Sequence, residues 1–245
     1  MARLLAFRLK AVAAAGFLII LFAAAAEARA AQRVSIRTDD GVTLAATWYE
    51  PSSRPGPAVI LVHMLNRSRR EWEAIAQRLA SEGIGALAFD LRGHGESSAG
   101  PPPAAGQSEY ASMVHDVRAV RRYLAQRGDV QQTRVGIIGA SIGASLAALE
   151  ASADATIASL ALLSPSVDYR GLRIDAAARK VKKPMLLVAG DDDPYAARSA
   201  RELQKDGGGV REVLILKQAG HGTVMLSRDP SLAPALVDWF RRTLL

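Results

Sequence analysis

Ser141 stands in Gly139-Ala140-Ser141-Ile142-Gly143, where a buried-looking run, Val135-Gly136-Ile137-Ile138, meets a segment rich in alanine and leucine. A serine at a sharp strand-to-helix turn projects its hydroxyl from the carboxyl end of a sheet. Glycines two before and two after it leave room for the crowded backbone. The helix that begins there aims its N–H groups, and the positive end of its dipole, at a developing oxyanion. That is the setting of a nucleophile. The plainer alternative is a close strand–helix crossing with Ser141 as an N-cap, which needs the small residues but no base elsewhere. Ser145, one turn on, lies within the helix and lacks the elbow.

An isolated serine hydroxyl is a poor nucleophile at neutral pH, so a base must reach it from another part of the chain. Four histidines are present: His63, His94, His115 and His221. His221 lies in Ala219-Gly220-His221-Gly222-Thr223, directly after the last strand-like run, where flanking glycines let a loop carry an imidazole across to the elbow. His63 and His94 each follow a strand and read as holders of their loops, while His115 falls on a helix and reads as surface. A carboxylate that fixes the base's tautomer and stabilises its imidazolium belongs between serine and histidine in chain order. Gly190-Asp191-Asp192-Asp193-Pro194 supplies it. Adjacent aspartates repel one another, so two of the three should face solvent or cap the next helix. Composition does not choose among them.

Strand-like and helix-like segments alternate to position these groups. Arg33–Arg37 and Val42–Tyr49 are expected as an antiparallel pair turning at Asp39-Asp40-Gly41. Ala58–His63, Ala86–Asp90, Arg134–Ile138, Ile157–Leu163, Met185–Ala189 and Val213–Leu216 complete a set of eight strands. Trp72, Ile75, Ala76 and Leu79 recur at helical spacing up to Gly83. Tyr110, Met113, Val114, Val117, Val120 and Leu124 line one face of a second helix that Ser108 can cap. Further helices are expected over Ser141–Ala153, over Ala196–Lys205, and through Leu232, Leu236, Trp239 and Phe240. This alternation means a mostly parallel sheet covered on both faces, and no linker or repeat divides off a second domain.

Of the 245 residues 49% are apolar, enough for a sizeable core and too many for a disordered chain. Cysteine is absent, which excludes disulfides, thiolate metal sites and a cysteine nucleophile. The net charge of +7 comes partly from Arg3, Arg8, Lys10 and Arg29; beyond residue 30 there are 27 basic and 23 acidic residues. Those are scattered beside one another, which describes a solvated surface, so no nucleic-acid partner is expected. Residues 1–30 read as a secretory signal peptide: a basic start, an uncharged apolar run over Ala11–Ala26, and a small-residue exit at Ala28-Arg29-Ala30, with Ala26-Glu27-Ala28 as second option. The alternative is an uncleaved anchor through residues 11–26, a run just under the roughly 18–20 residues that span a bilayer. The expected product is an exported, periplasmic or secreted, single domain over 31–245.

From about Val34 to Leu245 the sequence resembles the α/β-hydrolase superfamily, in particular its compact dienelactone-hydrolase-like and small esterase members. The resemblance is carried by Leu61-Val62-His63, Asp90-Leu91-Arg92-Gly93-His94-Gly95-Glu96-Ser97, the Ser141 elbow, Gly190-Asp191-Asp192-Asp193 and Gly220-His221-Gly222-Thr223. It implies an α/β-hydrolase fold with a mostly parallel eight-stranded sheet and helices on both faces. In similar proteins the acid is third after the glycine ending its strand, which lands on Asp193, with Asp192 in reserve. Two backbone N–H groups would hold the oxyanion, the first being Ile142, immediately after the nucleophile. The second comes from the loop after the third strand. The resemblance predicts His-Gly-x there, and this chain has His63-Met64-Leu65, so Leu65 is the matching donor and Met64 the alternative.

Relatives with a lid insert far more than the roughly twenty residues of Ser164–Pro184, which should hold at most a short helix near Ile174–Lys180. The site is therefore expected to be open and suited to small soluble esters or exposed chain ends. Neither H-E-x-x-H nor a dinucleotide glycine fingerprint is present, so no cofactor and no metal are implied. The expected activity is that of a serine hydrolase cleaving carboxylic esters of small-molecule substrates through an acyl-enzyme. A peptidase or amidase with the same residues, and a catalytically silent binding protein on the same fold, are the rivals.

Overall fold

The computed structural model describes residues 31–100, 108, 110–205 and 208–245. The expected leader over residues 1–30 lies outside the described residues, as does most of the Pro/Gly loop expected at Gly100–Gly106. The chain opens with β1 (Gln32–Arg37) and β2 (Thr43–Tyr49), an antiparallel pair. The Thr38 hydroxyl accepts the Val42 N–H at 2.8 Å and closes the turn between them.

β3 (Gly56–Val62) and β4 (Gly85–Phe89) are buried along their whole length, as strands covered on both faces must be. Then come β5 (Val130–Ala140), β6 (Ile157–Leu163), the two-residue strands β7 (Asp168–Tyr169) and β8 (Leu172–Arg173), β9 (Met185–Gly190) and β10 (Arg211–Leu216). Eight of these form one sheet in the order β1-β2-β4-β3-β5-β6-β9-β10. β2 runs antiparallel to β4, and every pair from β4 through β10 is parallel.

α1 (Glu73–Ser81) covers one face together with the last helix, α7 (Leu232–Leu244), which packs Trp239 and Phe240 into the core. α2 (Val114–Ala125), α3 (Ile142–Ala153), α4 (Asp175–Lys180) and α5 (Pro194–Lys205) lie on the other. Short 3-10 turns at Arg69–Trp72, Ala111–Met113 and Gly222–Val224, and the single turn α6 (Met225–Arg228), complete the elements.

The expected mostly parallel, two-faced sheet is borne out, with two differences. β5 begins at Val130 rather than Arg134, because Val130 pairs with Gly56 beyond a register shift; main-chain pairing there does not need apolar side chains. Ser164–Pro184 holds the β7–β8 hairpin as well as the expected short helix, and Asp168 accepts the Gly171 N–H at 2.9 Å to close its turn. It is a lip, not a lid. Because β3, β5, β6, β9 and β10 all run the same way, the loops that follow them gather at one edge of the sheet. Brought there are the chemistry-bearing residues His63–Leu65, Ser141, Asp191–Asp193 and His221.

Candidate active site

Ser141 has φ 54° and ψ −116°, a conformation that costs a non-glycine residue about 1–3 kcal/mol and persists only when its surroundings impose it. They do. Its N–H donates to the Leu163 carbonyl at 2.8 Å, and its own carbonyl accepts the Ala144 N–H at 2.9 Å in the first turn of α3. A side chain on Gly139 would place Cβ 2.1 Å from the Gly143 carbonyl oxygen, and one on Gly143 would place it 2.4 Å from the Val62 carbonyl oxygen. The elbow glycines are thus required by close approach, which presses the start of α3 against the end of β3. Ser145 is fully buried, and among the described residues its hydroxyl has no hydrogen-bond partner.

His221 Nε2 lies 2.8 Å from Ser141 Oγ, and Nδ1 lies 2.6 Å from Asp193 Oδ2. A carboxylate only accepts, so Nδ1 carries the hydrogen and Nε2 is left to accept the serine proton. Asp193 is the better sheltered member, with 16% of its side chain exposed against 49% for His221. Its other oxygen accepts the Ala196 N–H at 3.3 Å at the start of α5.

The neighbouring aspartates, Asp191 and Asp192, are both exposed, as the sequence leads one to expect, and each also bonds the loop after β10. Asp191 Oδ1 accepts the Gln218 N–H at 2.6 Å, and Asp192 Oδ1 accepts the Gly220 N–H at 2.8 Å, with Arg228 3.6 Å from its second oxygen. Three consecutive carboxylates therefore grip three points of the loop after β10, and only the third grips it by the imidazole.

The peptide groups on either side of Met64 are each fixed by a hydrogen bond. The Met64 N–H donates to Glu71 Oε1 at 3.1 Å, which removes it from the cleft. The Met64 carbonyl accepts from His63 Nδ1 at 2.8 Å. A trans peptide points its C=O and N–H in opposite directions, so this bond turns the Leu65 N–H away from His63. Ile142 opens α3, and the N–H groups of a helix's first turn have no intrahelical partner. The left-handed residue of the loop is Asn66, φ 60°, so methionine replaces the expected glycine without strain. Its thioether instead fills the space over Gly222, where a side chain would place Cβ 2.6 Å from Met64 Sδ.

His63 is fully buried, and its Nε2 accepts the Leu91 N–H at 2.9 Å. Both ring nitrogens are committed, so it holds its loop, as expected. Burial pushes its pKa down to about 4; the Met64 bond and nearby Asp90 oppose this and His94 adds to it. The unfolded chain then binds the proton first on acidification, so stability is full above the ordinary histidine range and falls as pH drops through 6.5 to about 4. Over that window the contribution lost is about 3 kcal/mol. Urea unfolding of His63→Gln should show a flatter stability profile between these limits; a profile as steep as the parent's would refute the assignment.

His94 Nδ1 donates to the Arg92 carbonyl at 2.9 Å, again structural. His115 is half-buried on α2 rather than fully at the surface. Asp90, at the end of β4, accepts the Arg69 N–H at 2.7 Å and the Glu96 N–H at 2.8 Å, and its carboxylate also pairs with the Arg69 guanidinium. The loops after β3 and β4 are tied together through it.

An open cleft of about 350 Å³ lies over Ser141 and His221, walled by Met64, Leu65, Pro165, Tyr169 and Tyr195. Sequence reasoning missed Glu71, whose carboxylate touches both loops of the cleft. An acid in the first turn of a helix carries no motif, and only the fold shows where it points.

Fold and site together define an α/β hydrolase. The family model described as serine aminopeptidase, S33, matches residues 53–177, just over half of the chain, and the chain belongs to that family. An uncharacterized protein of Mycobacterium tuberculosis is 28% identical over 238 residues, spanning 88% of this chain and 79% of its own length. Protein phosphatase methylesterase 1 of Candida albicans is 29% identical over 126 residues, 51% of this chain and 30% of that protein. Among solved structures, a dienelactone hydrolase from Anabaena variabilis matches with a TM-score of 0.71 at 18% identity, covering 88% of this chain and 99% of that one. A Pyrococcus furiosus esterase matches at 0.69 with 20% identity, covering 88% and 92%. At these identities the structural likeness speaks for the fold. Family and neighbours together support a hydrolase.

Proposed function

We propose that the chain is an exported serine hydrolase cleaving carboxylic esters of small or exposed substrates through an acyl-enzyme. The observation that carries this is the hydrogen-bonded series Asp193–His221–Ser141, at 2.6 and 2.8 Å, beneath an open cleft. Ser141 Oγ attacks the ester carbonyl carbon while His221 Nε2 takes its proton, and Asp193 stabilises the imidazolium. The carbonyl oxygen, now an oxyanion, receives the N–H groups of Ile142 and Leu65. The tetrahedral adduct collapses, the C–O bond to the alcohol breaks, and His221 returns the proton to the departing oxygen. Water then enters, His221 takes its proton, and the acyl–serine bond breaks to release the acid and restore the Ser141 hydroxyl. No cofactor is invoked.

The names methylesterase and esterase among the relatives favour an oxygen leaving group. The family's description favours a second reading, an aminopeptidase with the same three residues. A fluorophosphonate probe followed by parallel panels of p-nitrophenyl esters and aminoacyl p-nitroanilides separates the outcomes. Labelling with ester turnover supports the proposal, labelling with anilide turnover alone supports the second reading, and no labelling indicates a silent binding protein.

Export rests on the leader-like residues 1–30; among the described residues no helix is long and apolar enough to cross a membrane. The mature protein should begin at Ala31, or nearby at Arg29. Intact Met1 found by mass spectrometry in a membrane fraction would show the anchor instead.

A further inference from the structure

We propose that Glu71 is a positioning residue that fastens the loop of the second oxyanion donor to the loop of the catalytic base. One carboxylate spans the two. Glu71 Oε1 accepts the Met64 N–H at 3.1 Å, and Oε2 accepts the Thr223 hydroxyl at 2.8 Å. Met64 precedes the Leu65 donor and Thr223 follows His221 by two residues, although 159 residues of chain separate them.

Glu71 stands on an anchored turn. It sits in the turn Arg69–Trp72, whose Trp72 side chain is fully buried and whose Arg69 is held by Asp90. Two peptide planes of the donor loop are thereby set in opposite senses. Glu71 holds the Met64 N–H, and His63 holds the Met64 carbonyl, which turns the N–H of Leu65, a residue that lines the cleft, away from His63. Without Glu71 the Met64 N–H would be free to turn, and the Thr223 hydroxyl would keep only the weak acceptor Met64 Sδ at 3.3 Å. Burial pushes the Glu71 carboxyl up, and the Met64 and Thr223 bonds and Arg67 pull it back down. The bridge needs one acceptor and one partner for a hydroxyl, not a charge, so glutamine can serve.

The inference rests on the proposed roles of Leu65 and His221, and its test has a readout that does not. Residue-resolved amide exchange is measured on the full mature protein, the parent and Glu71→Gln, Glu71→Ala and Thr223→Val. In Glu71→Ala the Gly222 and Val224 amides, neither of which bonds to Glu71, should exchange at least about fivefold faster. In Thr223→Val the Met64 amide, on the far loop, should do the same, and Glu71→Gln should match the parent.

With p-nitrophenyl acetate, Glu71→Ala should lower kcat by about tenfold, part of the loss expected for removing a donor outright, with KM within about twofold. Glu71→Gln should restore kcat. The proposal is overturned if Thr223→Val leaves Met64 exchange unchanged, or if Glu71→Gln is as impaired as Glu71→Ala. Should Glu71→Ala fail to fold, Thr223→Val decides. A parent that shows the coupling but no fluorophosphonate labelling would remove the hydrolase reading and leave the bridge standing.

Discussion

Ser141→Ala will abolish labelling by a fluorophosphonate and lower ester turnover by about 10⁵–10⁶-fold, with the melting temperature nearly unchanged. The size of the effect follows from the way the three groups act as a unit. Once Oγ is gone, His221 Nε2 has no proton to take, and what remains is binding and the backbone donors. The fold should not notice. Ser141 Oγ has His221 as its partner, whereas the strained turn is held by backbone bonds to Leu163 and Ala144 that alanine keeps. The one serine close enough in sequence to confuse the result, Ser145, is fully buried in α3. Labelling that persisted and mapped to Ser145 would sink the elbow assignment; a collapsed melting temperature would mean that the turn, not the chemistry, had been tested.

Asp193→Asn should lower kcat/KM by about 10⁴-fold. Asparagine fits the same space, yet it cannot stabilise an imidazolium as a carboxylate does, and its amide can present a hydrogen where His221 Nδ1 needs an acceptor. Asp191→Asn and Asp192→Asn should stay within about tenfold of the parent, because an amide oxygen still accepts the Gln218 or Gly220 N–H. Truncation to alanine at either position would confuse the comparison by releasing the loop. Kinetics of the three asparagine variants decide the matter. If Asp192→Asn is crippled and Asp193→Asn works normally, the acid moves one residue earlier.

How much of this could be read from residues alone varies with the physics involved. The sheet was legible because parallel strands covered on both faces must be nearly continuous apolar runs, as β3, β4 and β9 are and β6 is but for Ser159. The elbow was legible because two glycines and a serine at that spacing satisfy a close-approach requirement that few other residues meet. The acid was not legible from type, since Asp191, Asp192 and Asp193 are chemically identical. What separates them is how the ends of β9 and β10 lie side by side, which is a tertiary fact.

Met64 stands where the resemblance predicts a glycine. The structure puts the left-handed residue two positions later, at Asn66, and lets the thioether use the space over Gly222. The β7–β8 hairpin escaped notice because two-residue strands have no periodicity to read. Glu71 has no signature for a similar reason: one acid among helix-starting residues is common, and one of its two partners, Thr223, comes from a loop far along the chain.

The order of strands has a consequence for durability. β10 is an edge strand, paired on one side with β9, and it is only partly buried except at Leu216, yet the loop at its end carries His221. Ser141 stands at the centre of the sheet, just past the end of β5, which is flanked by β3 and β6. The proposed nucleophile and its proposed base therefore stand at the centre and at an edge of one scaffold. Fraying of an edge takes far less free energy than opening a core. Loss of His221 from its post would disarm Ser141 while the tryptophans, all buried elsewhere, still reported an intact molecule. Under the proposed mechanism, loss of activity is expected to precede global unfolding and to begin at that edge.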